Sequence, residues 1–187
     1  MASAEHRPTR LDLLLRQLDT SYEALTARLA GLTDEEYRWE PVPGCVTLVD
    51  RDGRWQPVRG NPPSDPPPFT TLARRLGHVS VECVLMRWEY TFGDRKLTLE
   101  DIDYGGTAAE ALSLLDEAFT KWRTGLAGLR DADLDVVGLS TMPRGLDPTL
   151  PFGDILWWNN RELIHHGAEI AMLRDLWAHS AGGTAFA

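Results

Sequence analysis

The sequence predicts an all-α fold, a four-helix bundle. Apolar residues recur at spacings of three and four along four long stretches, which is the pattern of amphipathic helices that face a core. No comparably convincing pattern predicts a sheet. The length of 187 residues suits one domain, so we expect a single domain over residues 1–187, with helices at about 9–30, 70–90, 107–130 and 152–178.

The first helix is predicted from about Thr9 to Ala30. Thr9, with Asp12 three residues later, resembles a capping box, and Gly31 supplies a stop. The apolar residues of this stretch all fall on one helical face: Leu11, Leu14, Leu15, Leu18, Tyr22, Leu25 and Leu29.

A proline-rich segment from Pro41 to Pro68 follows, and its prolines exclude a helix. The stretches CVTLVD and RWQPV flank Asp52-Gly53, a dipeptide that can close a short hairpin, and Pro57 would confine that hairpin to an edge. A loop of this length in a compact domain is usually functional or disordered. We interpret it as a lid or a pocket wall.

The second helix is predicted from about Thr70 to Tyr90, and it should be largely buried because it carries apolar residues on two sides. One stripe contains Leu72, Leu76, Val79, Cys83, Met86 and Tyr90, and the other contains Val81, Leu85 and Trp88.

The third and fourth helices complete the bundle. The third begins at Thr107, and Glu110 completes a second capping box. The fourth runs from about Phe152 to Ala178 and places on its inner face Ile155, Trp158, Leu173 and Trp177.

Charge and composition exclude several functions. The formal net charge is −9, and no basic stripe is present that could neutralise phosphates, so we expect no nucleic-acid binding. No apolar stretch is long enough to span a membrane, and the N-terminus lacks the apolar run of a signal peptide. The two cysteines, Cys45 and Cys83, do not indicate a disulfide framework, which favours a cytoplasmic location.

An acid and an imidazole interrupt the apolar face of the fourth helix. Glu162 and His166 are one helical turn apart and project in nearly the same direction as Ile155 and Leu173. Burying both side chains in an apolar core costs roughly several kcal/mol, unless each is paired with another group or binds a metal. Glutamate and histidine at this spacing can both reach one cation.

A third ligand would have to come from another helix, and His78 is the candidate. It lies in the middle of the second helix between the two apolar stripes, where a free imidazole would lack water. One histidine from this helix plus Glu162 and His166 would leave coordination positions open for water or substrate, as in catalytic metal sites.

Other arrangements of the same residues remain open at this point. Glu162 and His166 can pair with each other or with Arg74, and His78 can be a satisfied core histidine. His165 with Glu169 and His78 with Glu82 also have the one-turn spacing. We interpret Glu82 and Glu169 as residues that support ligands or form salt bridges, and His165 as a wall or supporting residue. No Gly-x-Ser-x-Gly motif or phosphate-binding glycine loop is present.

The chain resembles the DinB/YfiT-like superfamily of metal-binding four-helix bundles. The resemblance covers most of the sequence and rests on LTDEEYRWEPVPG, PPPFTTLARRLGHVSVE and NRELIHHGAEIAMLRDLW. Many members have His-x-x-x-His on the last helix, whereas Glu162 stands here in place of the first histidine. This departure is similar to the mycothiol-dependent maleylpyruvate isomerase branch, whose pattern is His plus Glu-x-x-x-His.

The resemblance implies a set of expectations. His78, Glu162 and His166 become the ligands of one divalent metal ion. The chemistry of two imidazoles and a carboxylate suits zinc, nickel, iron or manganese, with zinc or nickel the foremost candidates. The bundle is expected to run up-down-down-up and to form a homodimer. Relatives include enzymes that add a low-molecular-weight thiol to an electrophile and isomerases that use such a thiol as cofactor.

The expected function is therefore that of a metal-dependent thiol transferase or thiol-dependent isomerase acting on a small molecule. The metal would lower the pKa of the bound thiol, so that neither cysteine of the protein need take part. The alternatives are metal-assisted hydrolysis and a non-catalytic protein that binds a metal or a small ligand under stress.

Overall fold

The computed structural model describes residues 7–58, 65–143 and 147–180, and helices dominate it. The α-helices are α1 (Arg10–Leu29), α2 (Asp34–Arg38), α3 (Leu72–Gly77), α4 (Met86–Phe92), α5 (Ala108–Ala127) and α6 (Phe152–Ser180). A π-helix, His78–Leu85, joins α3 to α4, and 3₁₀ turns occupy Asp131–Asp135 and Asp147–Thr149. The strands are β1 (Leu48–Arg51) and β2 (Arg54–Pro57).

The predicted four-helix bundle is confirmed, with α3, the π-helix and α4 acting as one rod. The rod is antiparallel to α6, because Arg75 contacts Glu169 while Arg87 contacts Trp158. Helices α1 and α6 are parallel, since α1 contacts α6 with Leu14 near its start and with Arg28 near its end. Tyr22 stacks on Phe119, and Arg10 at the start of α1 pairs with Asp131 beyond the end of α5, so these two helices are antiparallel. The bundle therefore runs up-down-down-up.

The core confirms most of the predicted apolar faces; Trp177, which was predicted on the inner face of α6, instead lies outside the core and packs against Trp39. Leu18, Leu25 and Leu29 of α1 are buried, as are residues on both sides of the π-helix. An aromatic cluster of Phe92, Trp122 and Phe152 joins α4, α5 and α6, with ring centroids 5.7 to 6.5 Å apart. Among the described residues, no helix is both long and apolar enough to cross a membrane.

The predicted helix starts agree with the structure to within about two residues, but the predicted end of the third bundle helix is wrong. Both capping boxes are present, at Thr9 and at Thr107. The third bundle helix ends at Ala127 rather than near residue 130, because the backbone N–H of Gly128 bonds back to the carbonyls of Gly125 and Leu126. The short helix α2 and the two 3₁₀ turns were not predicted.

Replacing Thr107 by alanine should lower the free energy of unfolding by about 1 kcal/mol, since it deletes a side chain that caps the first turn of α5. Urea unfolding measures this loss as a lower midpoint, provided that the slope of the free energy of unfolding against urea concentration is unchanged. Thr120→Ala is the control, because Thr120 is exposed within the same helix and alanine has the higher helix propensity. An equal loss in both variants would contradict the capping role.

The π-helix is the main departure from the expected fold, because the sequence predicted a regular α-helix there. In an α-helix, side chains five residues apart diverge by about 140°. The wider turn of the π-helix instead brings the Cys83 thiol to 3.4 Å from His78 Nε2. The Asn159 side chain of α6 donates a hydrogen bond to the Cys83 carbonyl at 2.6 Å. Short π-helical insertions frequently occur at functional sites.

The predicted hairpin is confirmed. Strands β1 and β2 pair antiparallel, and Asp52 and Gly53 at the turn have φ values of 56° and 81°, as a tight type I′ turn requires. The hairpin packs against the loop that precedes α5, where the Gln56 amide donates to the carbonyls of Leu99 and Ile102 at 3.1 and 2.9 Å. The prolines Pro62 and Pro63 of the same segment lie outside the described residues.

Candidate metal centre

The three predicted ligands meet at one point between the π-helix and α6. His166 Nε2 lies 3.2 Å from Glu162 Oε2, and His78 Nε2 lies 3.7 Å from the same oxygen. The two imidazole rings are 4.7 Å apart at 83° to each other. Two ligand atoms that are each about 2.05 Å from a tetrahedral ion are about 3.3 Å from one another. The spacing therefore fits three ligands of a single ion, and the described residues hold these three atoms within 4.8 Å of one another.

Each histidine is held from behind by a carboxylate. His78 Nδ1 is 2.8 Å from Glu82, and His166 Nδ1 is 2.6 Å from Glu169. Such a partner fixes the tautomer and the ring orientation of metal-binding histidines. Glu82 and Glu169 therefore lie beside the predicted ligands, and their supporting role for a metal stays a prediction.

Two neighbouring arginines of α3 hold the two carboxylates in turn. Arg74 Nη1 is 3.0 Å from Glu82, and Arg75 Nε is 2.8 Å from Glu169. Arg74 was predicted near the site, whereas Arg75 was not. Two separate chains of contacts therefore start at adjacent arginines of α3. One runs from Arg74 through Glu82 to His78, and the other runs from Arg75 through Glu169 to His166.

The electrostatic environment favours an ionised Glu162 beside a neutral His166. Burial alone would raise the pKa of Glu82 and of Glu162, but hydrogen bonds and cationic neighbours outweigh it and lower both values; Glu82 is held by His78 and Arg74. Burial lowers the pKa of His166, even though its hydrogen bond to Glu169 opposes that effect. The Nε2 atoms of His78 and His166 both lie next to a carboxylate oxygen of Glu162, and a cation between the three atoms would interact favourably with all of them. The donor set therefore fits a divalent ion.

His165 lies beside the centre and does not enter it. Its side chain is 62% exposed, its ring stacks on His166 with centroids 4.7 Å apart, and its Nε2 is 3.6 Å from Glu169. His165, His166 and Glu169 form a second group that could hold an ion. However, Glu169 already pairs with the cationic Arg75, which disfavours a second cation there.

A cavity of about 530 Å³ opens beside His78. Its wall is mostly apolar and comes from the rod, the start of α6 and two loops: His78, Glu82, Cys83, Arg87, Leu99, Met142, Asp147, Leu150, Asp154, Ile155, Trp157 and Trp158. The described residues of the proline-rich segment do not line it, which corrects their interpretation as a pocket wall. They pack instead on the loop before α5, and that loop supplies Leu99 to the cavity.

The cysteine in the wall is not activated. Cys83 is buried, and burial raises the pKa of its thiol, an effect that the nearby charge of Glu162 strengthens. The reactive form of cysteine is the thiolate, and burial disfavours that form in Cys83. Cys45 and Cys83 are both free thiols.

Sequence reasoning missed Arg87, Asp147 and Trp158 as cavity residues. The guanidinium of Arg87 forms two hydrogen bonds to Asp147 and lies over the Trp158 ring, so the three side chains make one buried group. Arg87 within the apolar second helix was the one available signal, since a buried arginine needs a partner. The sequence does not indicate that Asp147 is the partner.

Comparisons with known proteins agree on the fold. Residues 17–170 match the model of the DinB superfamily. The crystal structure of a DinB-like protein from Bacillus cereus is similar with a TM-score of 0.60 and 17% sequence identity, over 91% of this chain and 95% of that one. No functionally curated protein is similar enough to be matched.

Proposed function

Because this chain belongs to the DinB superfamily, we propose that it is an enzyme that holds one divalent metal ion on His78, Glu162 and His166. The proposed reaction is the transfer of a low-molecular-weight thiol of the mycothiol type to an electrophile, or an isomerisation that uses such a thiol. The observation that supports this proposal best is that two imidazole nitrogens and a carboxylate oxygen lie within 4.8 Å of one another, and that one of these ligands, His78, lines the cavity.

The open side of the centre supports a catalytic role. Three protein ligands leave at least one coordination position free, and His78 itself lines the cavity, so a small molecule in the cavity can reach the ion. When bound, the ion lowers the pKa of a coordinated thiol or water and makes it nucleophilic at neutral pH.

The chain's own residues would orient and shield the reactants. Glu82 and Glu169 would hold the imidazoles with Nε2 toward the ion, and Arg74 and Arg75 hold those two carboxylates in place. Leu99, Met142, Leu150, Ile155 and Trp158 supply an apolar wall that would keep water from an electrophile.

A panel of thiols and electrophiles tests the proposal. Metal-loaded protein should form a conjugate or isomer only when a low-molecular-weight thiol is present, and Cys45→Ala should react equally well. Product that forms without added thiol would indicate metal-assisted hydrolysis instead. If fully loaded protein neither binds nor consumes any thiol across the panel, the thiol chemistry is wrong.

The carboxylate behind His166 should tune metal affinity. Glu169→Gln keeps the shape but removes the charge that polarises the imidazole, and we expect the metal dissociation constant to rise by about 10–100-fold. Competition with a chelator of known affinity measures this change. Glu117→Gln on the exposed face of α5 is the control, and equal affinity in both variants would contradict the role.

Zinc and nickel remain the foremost candidates for the ion, since two imidazoles and one carboxylate suit both. Elemental analysis of protein purified without added metal would identify it.

The homodimer expected from the family stays a proposal, and α6 supports it. Trp157, Ile164, Met172 and Leu176 are each between 43% and 54% exposed, and they fall within about 120° of one helical face. Light scattering should report a dimer for the wild type and a monomer for Met172→Glu. A monomer at micromolar wild-type concentration would contradict this proposal.

A further inference from the structure

The two oxygens of the Glu162 carboxylate have different neighbours. Oε2 is the oxygen that lies 3.2 Å from His166 Nε2 and 3.7 Å from His78 Nε2. Oε1 accepts a hydrogen bond from Arg161 Nη2 at 2.5 Å, which is short even for a charge-assisted pair. One oxygen is therefore next to the two histidines, and a guanidinium holds the other.

The contact between Arg161 and Glu162 does not follow from helix geometry alone. The two residues are consecutive in α6, and side chains one position apart on a helix diverge by about 100° and do not face each other. The guanidinium of Arg161 lies 5.7 Å from the ring centroid of Trp158 and 5.9 Å from that of Trp157. Both rings come from the preceding turn of α6 and are within the range of a cation–π contact, so they help to hold the guanidinium beside Oε1.

Arg161 is accessible, whereas the carboxylate that it contacts is not. The Arg161 side chain is 52% exposed and that of Glu162 is 9% exposed. Replacing a half-exposed arginine leaves no buried cavity, and such a salt bridge contributes little to the free energy of unfolding. We therefore expect variants at Arg161 to fold, so that their effect on Glu162 can be measured.

The position of the guanidinium affects how Glu162 can hold an ion. A carboxylate can bind a cation through one oxygen or through both. With a metal–oxygen bond of about 2.1 Å, an ion on both oxygens would come within roughly 4 Å of the Arg161 nitrogen, where like charges repel. An ion on Oε2 alone would be on the side of the two imidazoles, farther from the guanidinium. Arg161 thus opposes two-oxygen binding more strongly than one-oxygen binding.

We infer that Arg161 is a positioning residue that limits Glu162 to a single coordinating oxygen. The inference deepens the proposed function and rests on its metal centre. Each protein atom fewer on the ion leaves one more coordination position for a reactant. With one nitrogen from each of His78 and His166 and one oxygen from Glu162, the fourth position of a tetrahedral ion stays open to a thiol or to water.

Cobalt(II) in place of the native ion tests this role, because its visible absorption is intense in four-coordinate sites and weak in sites with more ligands. Arg161→Met removes the hydrogen bond and the positive charge but keeps an unbranched side chain. We expect both oxygens of Glu162 to bind the ion in this variant. The visible absorption per bound cobalt should therefore fall at least about threefold relative to the wild type.

Arg123→Met is the matched control, since it removes the same charge from an arginine–carboxylate pair outside the centre, Arg123 with Asp19. Its absorption per cobalt should equal that of the wild type. A spectrum that is already weak in the wild type, or that is unchanged in Arg161→Met at full cobalt occupancy, overturns the role of Arg161 and leaves the metal centre intact. An equal fall in both variants also overturns that role.

Metal content separates this inference from the proposed centre. If Arg161→Met alone takes up no cobalt, the arginine is required for binding rather than for the choice of one oxygen, and the inference is wrong. If the wild type itself takes up no stoichiometric cobalt, the metal centre is wrong and the inference fails with it.

Discussion

Replacing His166 by alanine is expected to weaken metal binding by more than about 100-fold, because removing a ligand costs more than removing the carboxylate behind it. His166 is buried, with its side chain 8% exposed, so bulk water cannot easily replace its nitrogen. The variant also leaves Glu162 and Glu169 without their shared partner. Elemental analysis after dialysis against a weak chelator measures the loss.

His165→Ala is the matched control for this prediction. The two histidines are adjacent in sequence and their rings stack, but His165 is mostly exposed and lies outside the proposed ligand set. We expect His165→Ala to keep at least half of the wild-type metal. The assignment of His166 fails if both variants retain stoichiometric metal, or if His165→Ala alone loses it.

The largest loss of stability is expected from Asp147→Leu. This change leaves the buried guanidinium of Arg87 without its counter-charge, and breaking a buried pair in this way costs about 3–5 kcal/mol. Urea unfolding should therefore show a large fall in the midpoint. Exposed and half-exposed salt bridges contribute much less to the free energy of unfolding. Asp19→Leu, which removes the salt bridge to Arg123, should therefore lower it by no more than about 1 kcal/mol.

The double variant Arg87→Met/Asp147→Leu distinguishes an unpaired charge from a general packing defect. In this variant both charges are replaced by apolar side chains of similar volume, so most of the lost stability should return. The free energy of unfolding should be within about 2 kcal/mol of the wild-type value. A double variant as unstable as Asp147→Leu would show that packing, not the charge, determines the loss.

Local sequence signals accounted for much of the fold. Thr9 and Thr107 with their acidic partners marked two helix starts, and Asp52-Gly53 marked the hairpin turn, because capping and turn geometry depend on a few adjacent residues. The π-helix could not be predicted in this way. Its stabilising contact from Asn159 to the Cys83 carbonyl joins residues 76 positions apart.

The same distinction applies to the candidate site. Glu162, His166 and His78 were recognisable as polar groups on faces that must be buried, and the structure brings them together. The cavity was not predictable, since its wall combines the rod with loop residues such as Leu99, Met142 and Leu150. The Arg87–Asp147 pair spans 60 residues, and no periodicity relates its members.

Diffraction from a crystal of metal-loaded protein, recorded at the absorption edge of the metal, tests the central claim most directly. We predict one anomalous peak per chain, about 2.0–2.2 Å from His78 Nε2, Glu162 Oε2 and His166 Nε2. A crystal whose metal gives its peak elsewhere, or in which these three atoms surround no peak despite stoichiometric metal, would contradict the proposed centre.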